Sequence, residues 1–183
     1  MPPDPATTGE RRSRRLRQGF AASSEPPTMF RSGAEVAGAV DGADDDAVQP
    51  NGVDLTVAAV FDQTNPGYVG RDGKSVGDRS EIEPHGDDPP IYRLEPGDYV
   101  VRYGERLAVP EDSVGFVLPR STLLRNSCSL DTAVWDAGYE GRGEGLLQVG
   151  RAIEIEQGAR IGQFVLADAE SAGSYDGAYQ GEN

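Results

Sequence analysis

The chain has 183 residues, a formal net charge of −14 and one lysine, Lys74, among its 17 basic residues. This length suits one domain with a substantial core. The acidic excess argues against a nucleic-acid duplex or an anionic membrane as partner, because both would be repelled. Such a composition also suits a salt-rich cytoplasm, where exposed charges are heavily screened, and we expect a cytoplasmic protein.

Side chains for disulfide and metal chemistry are scarce. Cys128 is the only cysteine, which excludes an intramolecular disulfide and favours a buried packing role. His85 is the only histidine and stands in a polar loop, so a histidine-based triad or a His-rich zinc site is excluded. No apolar run approaches the roughly 20 residues of a membrane span.

Residues 1–28 differ in composition from the remainder of the chain. They are rich in proline, carry a basic cluster at residues 11–17 and show no apolar periodicity, so we expect a disordered N-terminal extension. A nucleic-acid contact of the basic cluster is the less favoured alternative. Because the sequence changes character at Met29, residues 1–28 are either an extension outside the fold or an upstream start that the cell does not use.

Short segments of strand character begin the main part of the chain. Residues 30–40 favour a short helix or strand. In the next segment Val53, Leu55 and Val57 alternate with other residues, which places them on one face of a strand. Residues 62–90 contain several turn signals and predict short edge strands in a hairpin excursion.

From residue 91 onwards, short strands recur with turns between them. Their close spacing and the 24 glycines predict an all-β barrel or sandwich. Residues 121–126 are the best candidate for a short helix, capped by Ser121. The polar, tyrosine-containing residues 171–183 are expected to form a mobile tail able to close over a ligand. The predicted strands lie at residues 91–94, 99–103, 107–109, 114–118, 145–149, 152–155 and 161–166.

The first candidate site combines two guanidinium groups with two hydroxyls. These side chains belong to Arg120, Ser121, Thr122 and Arg125. Guanidinium forks pair with phosphate oxygens, and hydroxyls with free N–H groups at a helix start complete a phosphate cradle. The alternative is a capped helix whose arginines pair with surface acids, and the residues alone leave both open.

The second candidate site is a carboxylate between apolar residues. Asp136 follows Trp135 and precedes an Ala-Gly pair. It can accept a proton from water or hold a sugar hydroxyl, and the alternative is a turn aspartate after a strand. Tyr139 can stack on a sugar or belong to the core.

Three further polar positions have two interpretations each. Alternation along a strand puts Glu140, Arg142 and Glu144 on one face. They form either an acid/base pair near a cation or a solvated face with salt bridges. We favour the solvated face for Glu140 and leave Glu144 open. Gln163, on an otherwise apolar strand, is either a structural hydrogen-bonding residue or a ligand contact.

The order of the motifs resembles that of the dUTPase / dCTP deaminase superfamily, most closely the archaeal dUTPase branch of the dCTP deaminase family from salt-loving organisms. Each block is weak alone, but the four in order are strong, and the resemblance covers residues 29–183. The blocks are residues 49–55, 119–125, 135–141 and 158–163, and residues 179–181 match the family's usual ending.

This resemblance implies both a fold and an assembly. It implies a mainly β, distorted jelly-roll-like barrel over residues 29–170, with residues 171–183 as a tail that closes over the active site. The family assembles as a homotrimer whose active sites lie between subunits and bind a deoxynucleoside triphosphate with Mg²⁺. No protein side chain is implied as a direct metal ligand.

The resemblance also implies roles for individual residues. Asp136 would hold the deoxyribose 3′-hydroxyl and activate water, and Tyr139 would pack on the deoxyribose and leave no room for a 2′-hydroxyl. Thr122 replaces the more usual serine but keeps a hydroxyl. The implied phosphate contacts are Arg120, Ser121, Thr122, Arg125 and Gln163, with Tyr175, Tyr179 and Gln180 from the tail.

The chain departs from the deaminases after Asp136. They carry a catalytic glutamate about ten residues further on, where this chain has Leu146, and the nearest acid is Glu144. In the tail, Ala178 and Glu182 stand where many deaminases have lysine and glutamine. The predicted function is therefore a dUTP diphosphatase. The alternatives are a dCTP deaminase or bifunctional enzyme with Glu144 as proton shuttle, and a non-catalytic nucleotide-binding regulator.

Overall fold

The computed structural model describes residues 29–183, and the predictions for residues 1–28 lie outside that part. Within it, short strands dominate, so the predicted mainly β class is confirmed. In chain order the elements are α1 (Gly33–Ala37), β1 (Val40–Asp41), a 3-10 helix (Asp45–Ala47), β2 (Val48–Gln49), β3 (Gly52–Gln63), β4 (Tyr68–Val69), β5 (Lys74–Ser75), β6 (Arg79–Glu81), β7 (Ile91–Leu94), β8 (Gly97–Tyr103), β9 (Arg106–Ala108), β10 (Ser113–Pro119), α2 (Ser121–Arg125), β11 (Cys128–Asp131), β12 (Glu140–Gly141), β13 (Glu144–Val149), β14 (Ile153–Glu156) and β15 (Arg160–Asp168).

The largest sheet is built around the long strand β3. Six strands follow the order β10-β15-β3-β8-β13-β11, and β2 and β6 pair with β3 outside that path. The first half of β3 pairs with β15 and the second half with β8, with a register shift in each ladder. Because β3 passes from one set of partners to the other, the sheet curls into the nearly closed, jelly-roll-like barrel that was predicted.

The core fills the inside of this barrel. Val53, Leu55 and Val57 are almost fully buried, which confirms the face predicted for this strand. Cys128 is buried among apolar side chains, as expected for a packing residue. The largest fully buried side chains are Tyr92, Tyr103, Phe164, Leu55, Leu94, Leu107, Leu130, Leu147, Ile161 and Leu166.

The connecting segments agree with the sequence in most places. The excursion after β3 contains the β4–β5 hairpin and returns through β6, which pairs with the end of β3. Strand β11 was not predicted. The predicted helix appears as α2, but its N-cap is Arg120 rather than Ser121. The predicted cap is wrong because the carbonyl of Arg120 already accepts the first helical bond, from Leu123 N–H at 3.0 Å. Within the described residues, no helix is long and apolar enough to cross a membrane.

Candidate active site

A tight turn places Asp136 at the surface. Gly138 has φ of +79°, a conformation that favours glycine, and Tyr139 N–H donates to the carbonyl of Asp136 at 3.1 Å. Val109 holds the end of the turn, because Gly138 N–H donates to its carbonyl at 2.9 Å and its own N–H donates to the carbonyl of Tyr139 at 2.8 Å. The Asp136 side chain is exposed on a turn that these backbone bonds fix.

A row of aromatic rings connects this turn with the core and with the tail. The ring centroid of Trp135 lies 6.3 Å from that of Tyr103 and 5.1 Å from that of Tyr139. The ring centroids of Tyr139 and Tyr175 are 5.7 Å apart. Among the described residues, the buried indole N–H of Trp135 and the hydroxyl of Tyr139 have no partner. Burial, followed by the nearby Glu182 carboxylate, raises the pKa of Tyr139 to about 12, so its hydroxyl remains a neutral donor.

A close approach of Trp135 to the backbone requires glycine at position 143. A Cβ on Gly143 would overlap the indole ring. We expect Gly143→Ala to destabilise the protein by about 1–3 kcal/mol, the usual cost of overpacking, and to shift the emission of its only tryptophan. Guanidinium unfolding followed by fluorescence measures both effects. Gly73→Ala is the matched control because a Cβ there meets open space, and an equal loss in that variant would contradict the packing explanation.

A cavity of about 460 Å³ opens beside the turn, a volume sufficient for a small ligand. The structure thus brings Asp136 and Tyr139 together with Glu144 and with the tail residues Tyr175 and Tyr179. Apolar side chains form much of the remaining wall. The full lining is Val76, Arg79, Val100, Ala133, Val134, Trp135, Asp136, Tyr139, Glu144, Tyr175, Tyr179 and Glu182.

Two arginines hold Glu144 at one side of this cavity. Arg79 Nη1 donates to Glu144 Oε2 at 2.5 Å, and Arg102 Nη2 donates to Glu144 Oε1 at 3.0 Å. The predicted grouping of Glu144 with Glu140 and Arg142 is wrong, because the strand is interrupted between β12 and β13 and Glu144 starts a new ladder opposite Arg102. Sequence patterns contained no signal for Arg79 or Arg102, which come from distant segments.

Side chains along β13 alternate between the core and the open face. Gly145, Leu147 and Val149 are buried, while Glu144 and Leu146 alternate with them on the open face. Glu144 lines the cavity and Leu146 does not. The side chain at the position of the deaminase glutamate is thus an exposed leucine outside the cavity.

The tail lies against the turn in the same chain. The Gln180 amide donates to the carbonyl of Gly138 at 2.9 Å and accepts from Glu140 N–H at 3.1 Å. Tyr175 N–H donates to the carbonyl of Ala137 at 2.8 Å. These bonds put the tail across the cavity. Tyr179 lies beneath Lys74, whose ammonium is 4.9 Å from the ring centroid.

Glu182, near the end of the tail, adds a carboxylate to the cavity wall. Burial raises the pKa of Glu182, and the neighbouring Glu144 raises it further, while Arg102 and Arg79 oppose the shift. The position where many deaminases have glutamine is thus occupied by an acid in the neighbourhood of Glu144 and its two arginines. Ala178, the other tail departure, is exposed.

The predicted phosphate cradle lies elsewhere on the chain. None of its members lines the Asp136 cavity. Trp135 bridges to Gly115 on β10, and Arg120 follows five residues further on, about 16 Å along the strand. The hydroxyl-bearing residues of α2 and Arg125 are exposed, and Gln163 is half-buried on β15. Within one chain, therefore, the cradle and the carboxylate form separate surfaces.

Asp54 anchors the cradle, and sequence reasoning did not single it out. This carboxylate is 2% exposed and forms an ion pair with Arg120, while Gln163 is its neighbour across the β3–β15 ladder. Burial raises the pKa of Asp54, and Arg120 and Arg160 oppose this shift. The available signal was its place inside the first matched block, residues 49–55.

No group of three or more His, Cys, Asp or Glu side chains within residues 29–183 is arranged to hold a metal ion.

A family model described as dCTP deaminase-like matches residues 29–169. The chain belongs to the dCTP deaminase-like family.

The chain is also similar to individual curated proteins from archaea. A protein of Halobacterium salinarum named probable deoxyuridine 5′-triphosphate nucleotidohydrolase is 52% identical over 157 residues, 84% of this chain and 95% of that protein. A protein of the same name from Aeropyrum pernix is 41% identical over 162 residues, 84% of this chain and 99% of that protein. A deoxyuridine 5′-triphosphate nucleotidohydrolase of Methanocaldococcus jannaschii is 35% identical over 144 residues, 77% and 92% of the two chains.

One solved structure supports the fold. It is 2′-deoxycytidine 5′-triphosphate deaminase from Agrobacterium tumefaciens, with a TM-score of 0.59 and 21% identity. The match covers 79% of this chain and 49% of that chain, so this chain corresponds to about half of the solved one.

Proposed function

We propose that the protein is a dUTP diphosphatase that converts dUTP and water into dUMP and pyrophosphate. The observation that carries this proposal is the cavity in which Asp136 and Tyr139 stand together on a fixed turn. The names of the archaeal relatives, up to 52% identical over most of this chain, support dUTP as the substrate. In the cell, this activity would supply dUMP and keep uracil out of DNA.

In this proposal Asp136 is the general base. Its exposed carboxylate accepts a proton from a water molecule, whose oxygen forms the new bond to phosphorus as the bond to the pyrophosphate oxygen breaks. The same side chain holds the deoxyribose 3′-hydroxyl. Tyr139, already packed against Trp135, forms the wall that leaves no room for a 2′-hydroxyl.

The phosphate groups would be held by the cradle of a second subunit. This follows from the separation of the two surfaces within one chain, since Arg120 and Asp136 do not share a cavity. A homotrimer, which the resemblance implies, would place the cradle of one copy beside the Asp136 cavity of its neighbour. Its contacts would be Arg120, Ser121, Thr122, Arg125 and Gln163.

The tail would close the completed site. Its bonds to Gly138 and Glu140 already hold Gln180 beside the Asp136 turn. Tyr175 and Tyr179 line the cavity from the tail side. Closure there would exclude bulk water from the triphosphate, which strengthens the charge interactions at the phosphates.

Mg²⁺ fits this site as a partner of the triphosphate. Magnesium is commonly bound through substrate phosphates and water rather than by a protein cage. When bound, it would neutralise charge that grows on the phosphate oxygens. Arg120 and Arg125 would supply the protein's share of that stabilisation.

A dCTP deaminase is the second candidate. It would need Glu144 to carry protons, since Leu146 stands where the deaminases have their glutamate. Both oxygens of Glu144 already accept hydrogen bonds from guanidinium groups. This arrangement favours the diphosphatase.

Product analysis tests these candidates directly. We expect incubation with dUTP and Mg²⁺ in high-salt buffer to give dUMP and pyrophosphate by chromatography, and incubation with dCTP to release no ammonia. Ammonia from dCTP would establish the deaminase instead. Tight binding of a dUTP analogue without turnover at any salt concentration would indicate a nucleotide-binding regulator.

A further inference from the structure

Arg79 reaches the cavity from the excursion rather than from any of the matched motif blocks. It stands at the start of β6, paired with Gln63 at the end of β3. Its guanidinium is fixed by Glu144 and lies over the ring of Phe61, with 5.6 Å to the centroid. Arg102 holds the other oxygen of Glu144 and covers the same ring at 4.8 Å. These contacts with Glu144 and Phe61 fix the position of the Arg79 side chain.

The guanidinium of Arg79 has N–H donors beyond the one that bonds Glu144. A guanidinium carries five N–H donors and no acceptor. Among the described residues, the bond to Glu144 is its one side-chain hydrogen bond, and the side chain lines the cavity. Val76, Val100 and Val134 provide apolar wall beside it. The cavity therefore combines a surface for a flat ring with N–H groups for its edge.

These donors distinguish the two pyrimidines of this family. Uracil has a carbonyl oxygen at position 4, which accepts a hydrogen bond, whereas cytosine has an amino group there, which donates. An amino group facing Arg79 would meet another donor and leave both unpaired. Glu144 receives one hydrogen bond from each arginine, which keeps its carboxylate directed at Arg79 and Arg102.

We propose that Arg79 selects the 4-oxo pyrimidine, and that Glu144 is the positioning residue that holds it. This inference rests on the proposed dUTP diphosphatase function and names the side chain that sets its substrate. It also explains an acid retained on the face of β13 where deaminases have their glutamate. Here the acid orients a donor instead of moving a proton.

The main test compares binding of non-hydrolysable α,β-imido-dUTP and α,β-imido-dCTP by calorimetry. We expect Arg79→Met to weaken the uracil analogue about 10- to 100-fold and to leave the cytosine analogue unchanged, so that the preference collapses. Arg93→Met is the matched control, because Arg93 forms an exposed ion pair with Glu154 outside the cavity. Equal losses for both analogues, or an unchanged preference in Arg79→Met, would overturn the inference.

A second test needs no change to the protein. In 4-thio-dUTP a sulfur, a weak acceptor, replaces the 4-oxygen. We expect the wild-type protein to bind its imido analogue about 10-fold more weakly than that of dUTP, and equal affinity would contradict the inference even if Arg79→Met failed to fold. Glu144→Gln should raise KM for dUTP while kcat stays unchanged, and a fall in kcat alone would contradict a positioning role.

The experiments distinguish failure of the diphosphatase function from failure of the role of Arg79. A wild-type protein that neither binds nor hydrolyses dUTP would refute the diphosphatase itself. A wild-type protein that prefers dUTP, together with an Arg79→Met variant that keeps the same preference, would refute only the role of Arg79.

Discussion

Replacing Asp136 by asparagine is expected to lower kcat for dUTP hydrolysis on the order of 10²–10⁴-fold while nucleotide binding survives. The amide keeps the size and hydrogen-bonding capacity of the side chain but cannot take a proton from water. The turn itself should be undisturbed, because it is held by the backbone bonds of Gly138 and Tyr139 to Val109. Steady-state kinetics with dUTP, together with calorimetric binding of α,β-imido-dUTP, measure the two effects separately.

A matched substitution controls for the loss of one negative charge. Asp87 is exposed, lies outside the cavity and belongs to the loop before β7, so Asp87→Asn should retain full activity. Full activity in Asp136→Asn would refute the assignment of the general base. Equal loss of binding and turnover would show instead that Asp136 mainly holds the sugar.

The sequence could place Asp136 and Tyr139 close together because the determinants of this turn are local. The turn from Asp136 to Tyr139 depends on one glycine with positive φ and on neighbouring residues, and short-range patterns reveal such geometry. The alternation of Val53, Leu55 and Val57 likewise revealed a strand face. Strand β11 escaped prediction because it is only four residues long and begins beside polar turn residues.

The ion pairs could not be predicted from the sequence. Glu144 lies 65 positions from Arg79, and Asp54 lies 66 positions from Arg120. Their contact results from closure of the sheet, in which β3 brings β6, β8 and β15 together. An acidic chain offers many carboxylates to each arginine, so spacing alone does not identify the partner. The expectation that Arg142 accompanies Glu144 was wrong because the strand is interrupted between β12 and β13.

The ion pair between Arg120 and Asp54 should stabilise the fold, and Arg120 is also a proposed phosphate contact. Its guanidinium is about one-third exposed, at 35%, and it forms an ion pair with Asp54, which is 2% exposed. Arg120→Met should destabilise the protein by about 3 kcal/mol, because removal of one partner leaves a buried charge uncompensated. The same variant should bind α,β-imido-dUTP more weakly, since one phosphate fork is lost. Guanidinium unfolding and calorimetry measure the two losses.

The stability lost in Arg120→Met should depend on pH. Burial already raises the pKa of Asp54, and removal of Arg120 takes away the strongest opposing charge. A carboxyl whose folded-state pKa lies above its unfolded value binds a proton on folding, so stability falls as pH rises between those two values. The destabilisation of Arg120→Met should therefore be largest at neutral pH and should shrink as the solution is acidified. A pH-independent loss would contradict the buried-charge explanation.

Two further variants separate the structural role of Arg120 from its phosphate role. Adding Asp54→Asn to Arg120→Met removes the buried charge and should recover part of the lost stability, while nucleotide binding stays weak. Arg125→Met should weaken nucleotide binding with little change in the free energy of unfolding, because Arg125 is exposed at the end of α2. Equal destabilisation in Arg120→Met and Arg125→Met would remove the special role of Asp54. Unchanged binding in both would place the triphosphate elsewhere on the barrel.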